Sequence, residues 1–486
     1  MEIQDRYIVA ADLGTSKTAL TVAKVEGENV QVVFYTEVPS EGIRNSSVFN
    51  ESQASVPLRE AISQAENALG IKITQAVVGM PKHPIRQESN TGKIDGRGFD
   101  TDITAEDIAE LKRSAQDMYP LENPNMEAIY GAVAQSFSDG ENFQIIENDI
   151  IGMTSDILEG HFKIFIGKKS DLKKIDTVMS KTGISVRKKY FTADTTAKAV
   201  LTEAEMENGV ALIDFGGGST SVSIYHGSIM RHYASIPFGG KNITDDIKTE
   251  GQISQRLAEN IKLAFGACMP EKLQNLSEKV LHISSGNAEP DKKLPVKYLS
   301  EIITARVEEI IMAMLYEINE SGFADMLRSG IVVTGGCAQI ANLGNFIYEL
   351  SGYRVRTGYP QGRVSIAGCD GLKETTAATS VGLILAAKEE QSVNCAIMEA
   401  GTRPCSVTIE TEEEQPEPVV TETVAETDNS GELFKKEEIE TVEKPKKEKE
   451  KKVRIFDILW SNAKKKAKET AEKTGRLLDE ISEEEI

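Results

Sequence analysis

Two stretches of the chain share the same order of apolar runs and turns, and each predicts three consecutive strands. In the first, an apolar run over 7–11 ends at Asp12, alternating apolar positions follow, and a second turn leads to another strand ending at Val38. The stretch 209–240 repeats this order, with Asp214 in the place of Asp12. Alternation is typical of strands, because successive side chains point to opposite faces of a sheet. The pattern therefore predicts a duplicated strand unit.

A turn rich in glycine and hydroxyl residues follows the first strand of each unit. The turns are Gly14, Thr15, Ser16 and Lys17 in the first copy and Gly216, Gly217, Gly218, Ser219 and Thr220 in the second. Glycines let backbone N–H groups approach an anion closely, and neighbouring hydroxyl groups can donate to it. A single turn of this kind is ordinary, but two matching copies predict two lobes that face one phosphate chain. No GxxxxGK[ST] sequence occurs, which excludes a P-loop.

Apolar residues at helical spacing predict helices around these units. The predicted helices cover 56–69, 170–183, 192–200, 242–248, 253–266, 299–319 and 377–387. With a strand over 76–80, the amino-terminal order of strand, strand, strand, helix, strand indicates a ribonuclease-H-like lobe. The helices over 192–200 and 377–387 are rich in small residues, so we expect them to cross closely.

Residues 82–166 interrupt this order and predict a small α/β insertion. The pattern indicates polar turns over 90–98, a helix begun by Thr104, and strands over 128–137, 144–146 and 161–166.

Two short features leave their role open. Glu259 and Lys262 share one helix face, a spacing that most often marks an exposed ion pair worth a few tenths of a kcal/mol. A strand over 331–334 runs into Gly335, Gly336 and Cys337, where the glycines could let a flat base lie against the backbone. An ordinary strand-to-helix turn explains the glycine pair equally well.

Composition narrows the classes of function. The 486 residues carry 55 Lys and Arg against 76 Asp and Glu, a net charge of -21, which argues against a general nucleic-acid-binding surface. The five cysteines form no CxxC pair, which fits a reducing compartment. The amino end is acidic where a signal peptide would be basic, and no apolar run approaches the roughly twenty residues of a spanning helix. We therefore expect a cytoplasmic body.

The carboxyl-terminal part differs from the rest in composition. Residues 389–452 are predicted to be a disordered linker rich in glutamate, threonine and proline, ending in a basic run. Residues 453–486 predict an amphipathic helix that ends in an acidic tail. Its apolar start would insert into an anionic membrane surface through Val453, Ile455, Phe456, Leu459 and Trp460. A solvated or partner-binding helix is the alternative.

Taken together, these motifs resemble a known superfamily, that of actin, the sugar kinases and the seventy-kilodalton chaperones. The finer pattern is similar to the FtsA family of bacterial cell-division proteins, through ADLGTSKTAL, GIRNSSVFN, LIDFGGGSTSVSIY, IPFGGKNITDDI and IVVTGGCAQIANL. The resemblance implies an actin-like, two-lobed α/β ATPase fold of duplicated ribonuclease-H-like domains. Its parts would be lobe 1 (1–81 and 167–205, with the 370–388 helix), a 1C-type insertion (82–166), lobe 2 (206–240 and 301–369) and a 2B-like subdomain (241–300).

The resemblance also assigns roles to residues. Both glycine turns would contact the phosphates of ATP, and Asp12 and Asp214 would hold magnesium through water. Glu259 and Lys262 would reach the ribose and base, and Gly335, Gly336 and Cys337 would line the adenine slot. Arg306 would help to receive the carboxyl-terminal peptide of the tubulin-like FtsZ.

The function implied by the resemblance is structural rather than metabolic. The protein would form filaments, tether FtsZ to the cytoplasmic face of the cell membrane at the division site, and recruit later division proteins through the insertion. Hydrolysis would be weak at most, since no catalytic base can be assigned. A sugar or acid kinase of the same superfamily and a pilus-assembly ATPase of the PilM type are the alternatives. The kinase would need a catalytic aspartate beside a second polar pocket, for which no motif is present.

Overall fold

The computed structural model of the protein describes residues 6–27, 29–96, 101–273, 278–283, 292–361, 364–366 and 369–398.

Strands and helices alternate along most of the described chain. The strands are β1 (Arg6–Leu13), β2 (Lys17–Glu26), β3 (Asn29–Pro39), β4 (Ile43–Arg44), β5 (Ser47–Val48), β6 (Ile71–Ile73), β7 (Gln75–Gly79), β8 (Ile85–Ile94), β9 (Glu127–Ser138), β10 (Leu158–Lys168), β11 (Ser185–Tyr190), β12 (Val210–Phe215), β13 (Thr220–His226), β14 (Ile229–Ile236), β15 (Val280–Ile283), β16 (Lys292–Pro295), β17 (Ile331–Thr334), β18 (Val355–Thr357), β19 (Ser365–Ile366) and β20 (Ala396–Met398). The helices are α1 (Glu51–Leu69), α2 (Ala105–Asp117), α3 (Glu147–Ile150), α4 (Lys169–Lys181), α5 (Thr192–Val200), α6 (Glu203–Asn208), α7 (Gly240–Gly251), α8 (Gln255–Phe265), α9 (Val296–Glu320), α10 (Leu343–Ser351) and α11 (Ala378–Lys388).

Two mixed sheets share one topology, as the duplicated strand pattern predicts. The first has the order β11-β7-β1-β2-β3-β19 and the second the order β14-β13-β12-β17-β18. In the first sheet β1 pairs antiparallel with β2 and parallel with β7. In the second, β12 pairs antiparallel with β13 and parallel with β17. The first strand of each unit is therefore buried between neighbours, and the turn that follows it emerges at the carboxyl edge of its parallel pair.

A third sheet, β8-β10-β9, is fully antiparallel and is packed by α2. The predicted polar turns over 90–98 are wrong for the first half of that stretch, because β8 continues to Ile94. Its Asn90 pairs with Phe162 of β10, and a Cβ on Gly92 would lie 3.0 Å from Leu111 of α2. Small and polar residues let this strand face solvent on one side and accept a helix closely on the other.

The helices α5 and α11 cross at contact distance, as their small residues predict. A Cβ placed on Gly382 would lie only 2.1 Å from the carbonyl oxygen of Thr195. Both helices belong to one hydrophobic core with β1, β2 and β7. This packing fixes α11 beside the first sheet.

The linker prediction is wrong at its start. The chain beyond Glu389 returns to the first lobe, where β20 pairs with β6 in a separate two-stranded sheet and the Cys395 N–H donates to the Tyr7 carbonyl of β1 at 2.8 Å. The Arg6 guanidinium also donates to the Val393 carbonyl at 2.7 Å. The apolar run over 395–398 has only four residues between polar neighbours, which is too short to predict a strand. Pairing with distant segments makes it one. The remaining linker and the carboxyl-terminal helix lie outside the described residues.

Within the described part of the chain, no helix combines the length and the apolar character that crossing a membrane requires.

Candidate functional site

A cavity of about 290 Å³ opens where the two mixed sheets meet. It lies at the carboxyl ends of β1, β7, β12 and β17, the edge at which open α/β sheets bind ligands. Most sequence-predicted site residues line it, namely Asp12, Gly14, Thr15, Ser16, Lys17, Asp214, Gly216, Gly217, Gly218, Ser219, Glu259, Lys262, Gly335, Gly336 and Cys337. The fold therefore brings these residues from four separate chain segments to one place.

The two glycine turns touch each other across this cavity. A Cβ on Gly218 would lie 2.6 Å from Thr15 Cγ2, and one on Gly217 would lie 2.0 Å from Ser16 Oγ. No real Cβ makes such contacts, so the hydroxyl turn of the first sheet fits only against bare backbone. Gly217 and Gly218 thus form the contact between the lobes, whereas a Cβ on Gly216 would lie 2.9 Å from the Ser219 carbonyl oxygen of its own turn.

The acidic end of the cavity holds two carboxylates and one ammonium group. The Lys82 ammonium donates to Asp214 Oδ2 and lies 3.3 Å from Thr379 Oγ1. Burial alone would lower the pKa of Lys82, but the carboxylates of Asp214 and Asp12 outweigh it and hold that pKa above its ordinary value. Burial raises the pKa of Asp12, an effect that Lys82 and Lys17 partly oppose. The site is therefore an electrostatically coupled group of charges shielded from water.

The opposite end is built on α8. Lys262 Nζ lies 2.8 Å from Glu259 Oε2 and donates to the Gly240 carbonyl at 2.9 Å and to Thr244 Oγ1 at 2.8 Å. Because Lys262 is only 9% exposed, the interpretation of this pair as an ordinary surface ion pair is wrong. Spacing alone could not reveal it, since burial here comes from α7 packing on α8.

Cys337 closes this end of the cavity from the second sheet. Gly335, two residues earlier, has a φ of 88°, which favours glycine. The residues after it, Gly336–Gln339, form a 3-10 turn and not the start of an α-helix. Cys337 Sγ lies 3.6 Å from the Gly216 carbonyl oxygen. Burial raises the pKa of this thiol to about 11, so it stays protonated near neutral pH and serves as a packing group.

Comparison with known proteins agrees with this geometry. The model of the family described as "Cell division protein FtsA" matches residues 211–382. A protein of that name from Neisseria meningitidis serogroup B is 29% identical over 391 residues, covering 80% of this chain and 91% of the relative. The chain is thus similar to FtsA proteins over most of its length. The FtsA proteins of Pseudomonas aeruginosa and Escherichia coli are 28% and 26% identical, over 82% and 79% of this chain and 93% and 91% of their own lengths.

Among solved structures, the type IV pilus PilM–PilN complex contains a chain similar in fold. The TM-score is 0.55 at 12% identity, and the match covers 78% of this chain and 98% of the other. At that identity the likeness shows the actin-like fold alone. The relatives named FtsA are more similar to this chain in sequence than the PilM–PilN complex is, which favours FtsA over the pilus-assembly alternative.

Three of the predicted site residues are placed differently from the others. The Lys17 ammonium pairs with Glu37 and lies 3.2 Å from the Tyr35 hydroxyl, along β2 and β3. The Thr220 hydroxyl donates to the Phe238 carbonyl at 2.8 Å, and Thr220 does not line the cavity. Arg306 lies away from it on α9, where its guanidinium donates to both carboxylate oxygens of Asp246 at 2.6 and 3.0 Å. The predicted membrane-binding residues Val453, Ile455, Phe456, Leu459 and Trp460 are outside the described residues.

Sequence reasoning missed Lys82, Thr379 and Lys241. Lys82 follows β7 without any glycine signature, and Thr379 opens α11. The Lys241 ammonium donates across the lobes to the Thr15 carbonyl at 2.7 Å. The one signal for Lys82 in the sequence was its position, three residues after the end of β7, a buried strand that the sequence pattern predicts.

The lining suits a magnesium-bound nucleoside triphosphate in its donor chemistry. Bare backbone, hydroxyl groups and ammonium groups can bind phosphate, while Asp12 and Asp214 offer oxygens to a hard cation. Within the described ranges, no cluster of three or more His, Cys, Asp or Glu could hold a metal ion. Magnesium held here would therefore take its other ligands from water and phosphate oxygens, as it commonly does, and would neutralise phosphate charge.

Proposed function

We propose that this chain is an ATP-binding, actin-like cell-division protein of the FtsA type that assembles into filaments and ties FtsZ to the cell membrane. Its similarity to FtsA proteins supports the role in division. The cavity supports nucleotide binding, because two phosphate-type turns from the duplicated lobes meet there with two carboxylates and Lys82. The turn contact is the observation that carries the proposal, since a ligand gripped by both turns would stabilise the closed arrangement of the lobes.

Nucleotide binding is tested with the full chain and a fluorescent ATP analogue in the presence of Mg²⁺. Asp214→Ala should weaken binding at least tenfold, because it removes one of the two carboxylates that would hold the magnesium of the nucleotide. Asp245→Ala on α7, outside the cavity lining, is the matched control. Equal affinity of Asp214→Ala and the parent would contradict the assignment of the cavity.

Filament assembly would follow from nucleotide-dependent closure. ATP should increase sedimentation of the parent, and Asp214→Ala should lose that increase while remaining folded by circular dichroism. ATP-dependent sedimentation of the variant would separate assembly from this cavity.

The FtsZ peptide is proposed to bind around Arg306, between α7 and α9. Its guanidinium already makes a two-point contact with Asp246, a geometry that suits a peptide carboxylate as well. Arg306→Glu should weaken binding of an FtsZ carboxyl-terminal peptide by tenfold or more, whereas Arg256→Glu on the exposed face of α8 should not. An equal response of the two variants would place the peptide elsewhere.

Membrane attachment is proposed to depend on residues 453–486. Co-sedimentation with anionic liposomes in the presence of ATP should be lost when the chain is ended after Lys452. Retained pelleting of the shortened chain would contradict a tether in this segment and favour a partner-binding helix.

A further inference from the structure

The segment that joins β7 to β8 links both mixed sheets at the acidic end of the cavity. On the first-lobe side, the Lys82 N–H donates to Ser46 Oγ at 3.1 Å, and Ser47 Oγ donates to the His83 carbonyl at 3.2 Å. On the second-sheet side, the Tyr233 hydroxyl donates to the Lys82 carbonyl at 2.6 Å, and His83 Nδ1 lies 3.1 Å from Ser235 Oγ. The backbone of Lys82 is therefore held from both sides, and its side chain is the part left to change partner.

Three lysines line the cavity among the described residues, and they differ in their partners. Lys17 pairs with Glu37, which lies outside the lining, and Lys262 pairs with Glu259 at the opposite end. Lys82 pairs with Asp214, one of the two carboxylates offered to a cation. Of these three lysines, Lys82 is therefore the one whose carboxylate partner would also bind a metal ion in the cavity.

A divalent cation beside Asp12 and Asp214 would change the balance of charge around Lys82. An ammonium group within a few ångströms of such a cation is repelled strongly where water is excluded. A phosphate oxygen offers the same ammonium a charge-assisted hydrogen bond. Lys82 is only 18% exposed in its side chain, so it cannot relieve the repulsion by turning fully into water.

From these contacts we propose that Lys82 is the residue by which this cavity distinguishes a nucleoside triphosphate from a diphosphate. Its ammonium pairs with Asp214 when the cavity holds no nucleotide and transfers to the terminal phosphate group when a triphosphate with its cation is bound. The inference rests on the proposed nucleotide-binding function and adds a specificity-determining residue to it. Thr379 Oγ1, at 3.3 Å from the ammonium, positions the side chain between the two partners.

The test compares two ligands on the full chain, a fluorescent non-hydrolysable ATP analogue and the corresponding ADP, both with Mg²⁺. The variants are Lys82→Met and Lys82→Arg, with Lys24→Met on β2 as a control that removes one lysine charge outside the cavity lining. Lys82→Met should bind the ATP analogue about 10- to 100-fold more weakly, the range for a lost charge-assisted hydrogen bond. Its affinity for ADP should stay within about threefold of the parent, and Lys82→Arg should recover part of the difference.

The outcomes separate this inference from the function on which it rests. Retained ADP binding by Lys82→Met shows that the variant is folded and locates the loss at the terminal phosphate. An equal loss for both ligands would mean that Lys82 only supports the fold, and no loss for either would also overturn the inference; nucleotide binding by the parent stands in both cases. If the parent binds neither ligand, the proposed nucleotide function fails as well.

Discussion

The two strand units have one topology, but their turns and outer strands have different surroundings. The turn of the first unit contacts the other lobe through the side chains of Thr15 and Ser16. The turn of the second unit meets them with backbone alone, at Gly217 and Gly218. The outer strand β3 of the first unit pairs with the short β19, whereas β14 of the second packs against the insertion strands β8 and β9. The two units therefore share a strand topology, while the differences in sequence between their turns make the two turn surfaces complementary.

The turn contact gives the largest predicted effect. Gly218→Ala places a Cβ within 3 Å of Thr15 Cγ2, Oγ1 and Cβ, and a β-branched side chain cannot rotate all three away. We expect at least a 30-fold loss of affinity for the fluorescent ATP analogue with Mg²⁺. Gly217→Ala should cost less, because its nearest contact is the Ser16 hydroxyl, which can change rotamer.

A second substitution sharpens this prediction. Thr15→Gly in the Gly218→Ala background removes the colliding atoms, so it should restore a substantial part of the affinity that Gly218→Ala lost. A double variant no better than Gly218→Ala alone would mean that the glycine is needed for the ligand and not for the contact between the turns.

The paired aspartates give the next largest effect. Asp214 holds the Lys82 ammonium, whereas burial raises the pKa of Asp12. Asp214→Asn should lower the free energy of unfolding by about 2 kcal/mol, since it leaves a buried ammonium with a neutral partner. Asp12→Asn should change stability less, because a group whose charged form is disfavoured by burial loses little when neutralised. Urea unfolding of both variants without nucleotide measures the difference, and equal losses would contradict it.

The outer strands differ in their response to pH. His232 on β14 accepts through Nδ1 from Gln87 Nε2 of the insertion at 2.7 Å, and its Nε2 lies 3.4 Å from Glu317. Burial, with Lys163 nearby, lowers the pKa of His232 to about 4. The unfolded chain therefore binds a proton more readily, so stability is full above about pH 6.5 and falls between pH 6.5 and 4 by about 2 kcal/mol.

The check is the melting temperature of the parent and His232→Gln at pH 7 and pH 4.5. The parent should lose more stability on acidification than the variant, which lacks the titrating ring. Parallel losses would show that other groups, such as Glu317, whose pKa burial raises, control the acid response.

Features formed by residues close together in the sequence could be predicted, whereas contacts between distant segments could not. The glycine turns were predictable because strand, aspartate and glycine stand next to each other in the chain. Lys82 was not, because its contact with Asp214 spans 132 positions and depends on β7 lying beside β1. The burial of Lys262 and the pairing of β20 with β6 likewise come from packing between distant segments.

The two cavity lysines of the first lobe, Lys17 and Lys82, provide the smallest and most specific test. Lys17 belongs to the predicted turn, yet its ammonium pairs with Glu37, whose side chain is 37% exposed. An ion pair this open to water contributes under about 1 kcal/mol, so Lys17→Met should change affinity for the ATP analogue by less than about fivefold. Lys82→Met should exceed that loss although no motif marks Lys82. If Lys17→Met proves the more damaging, then Lys17 leaves Glu37 for the phosphates on binding, and the lysine next to the glycine is the one that matters.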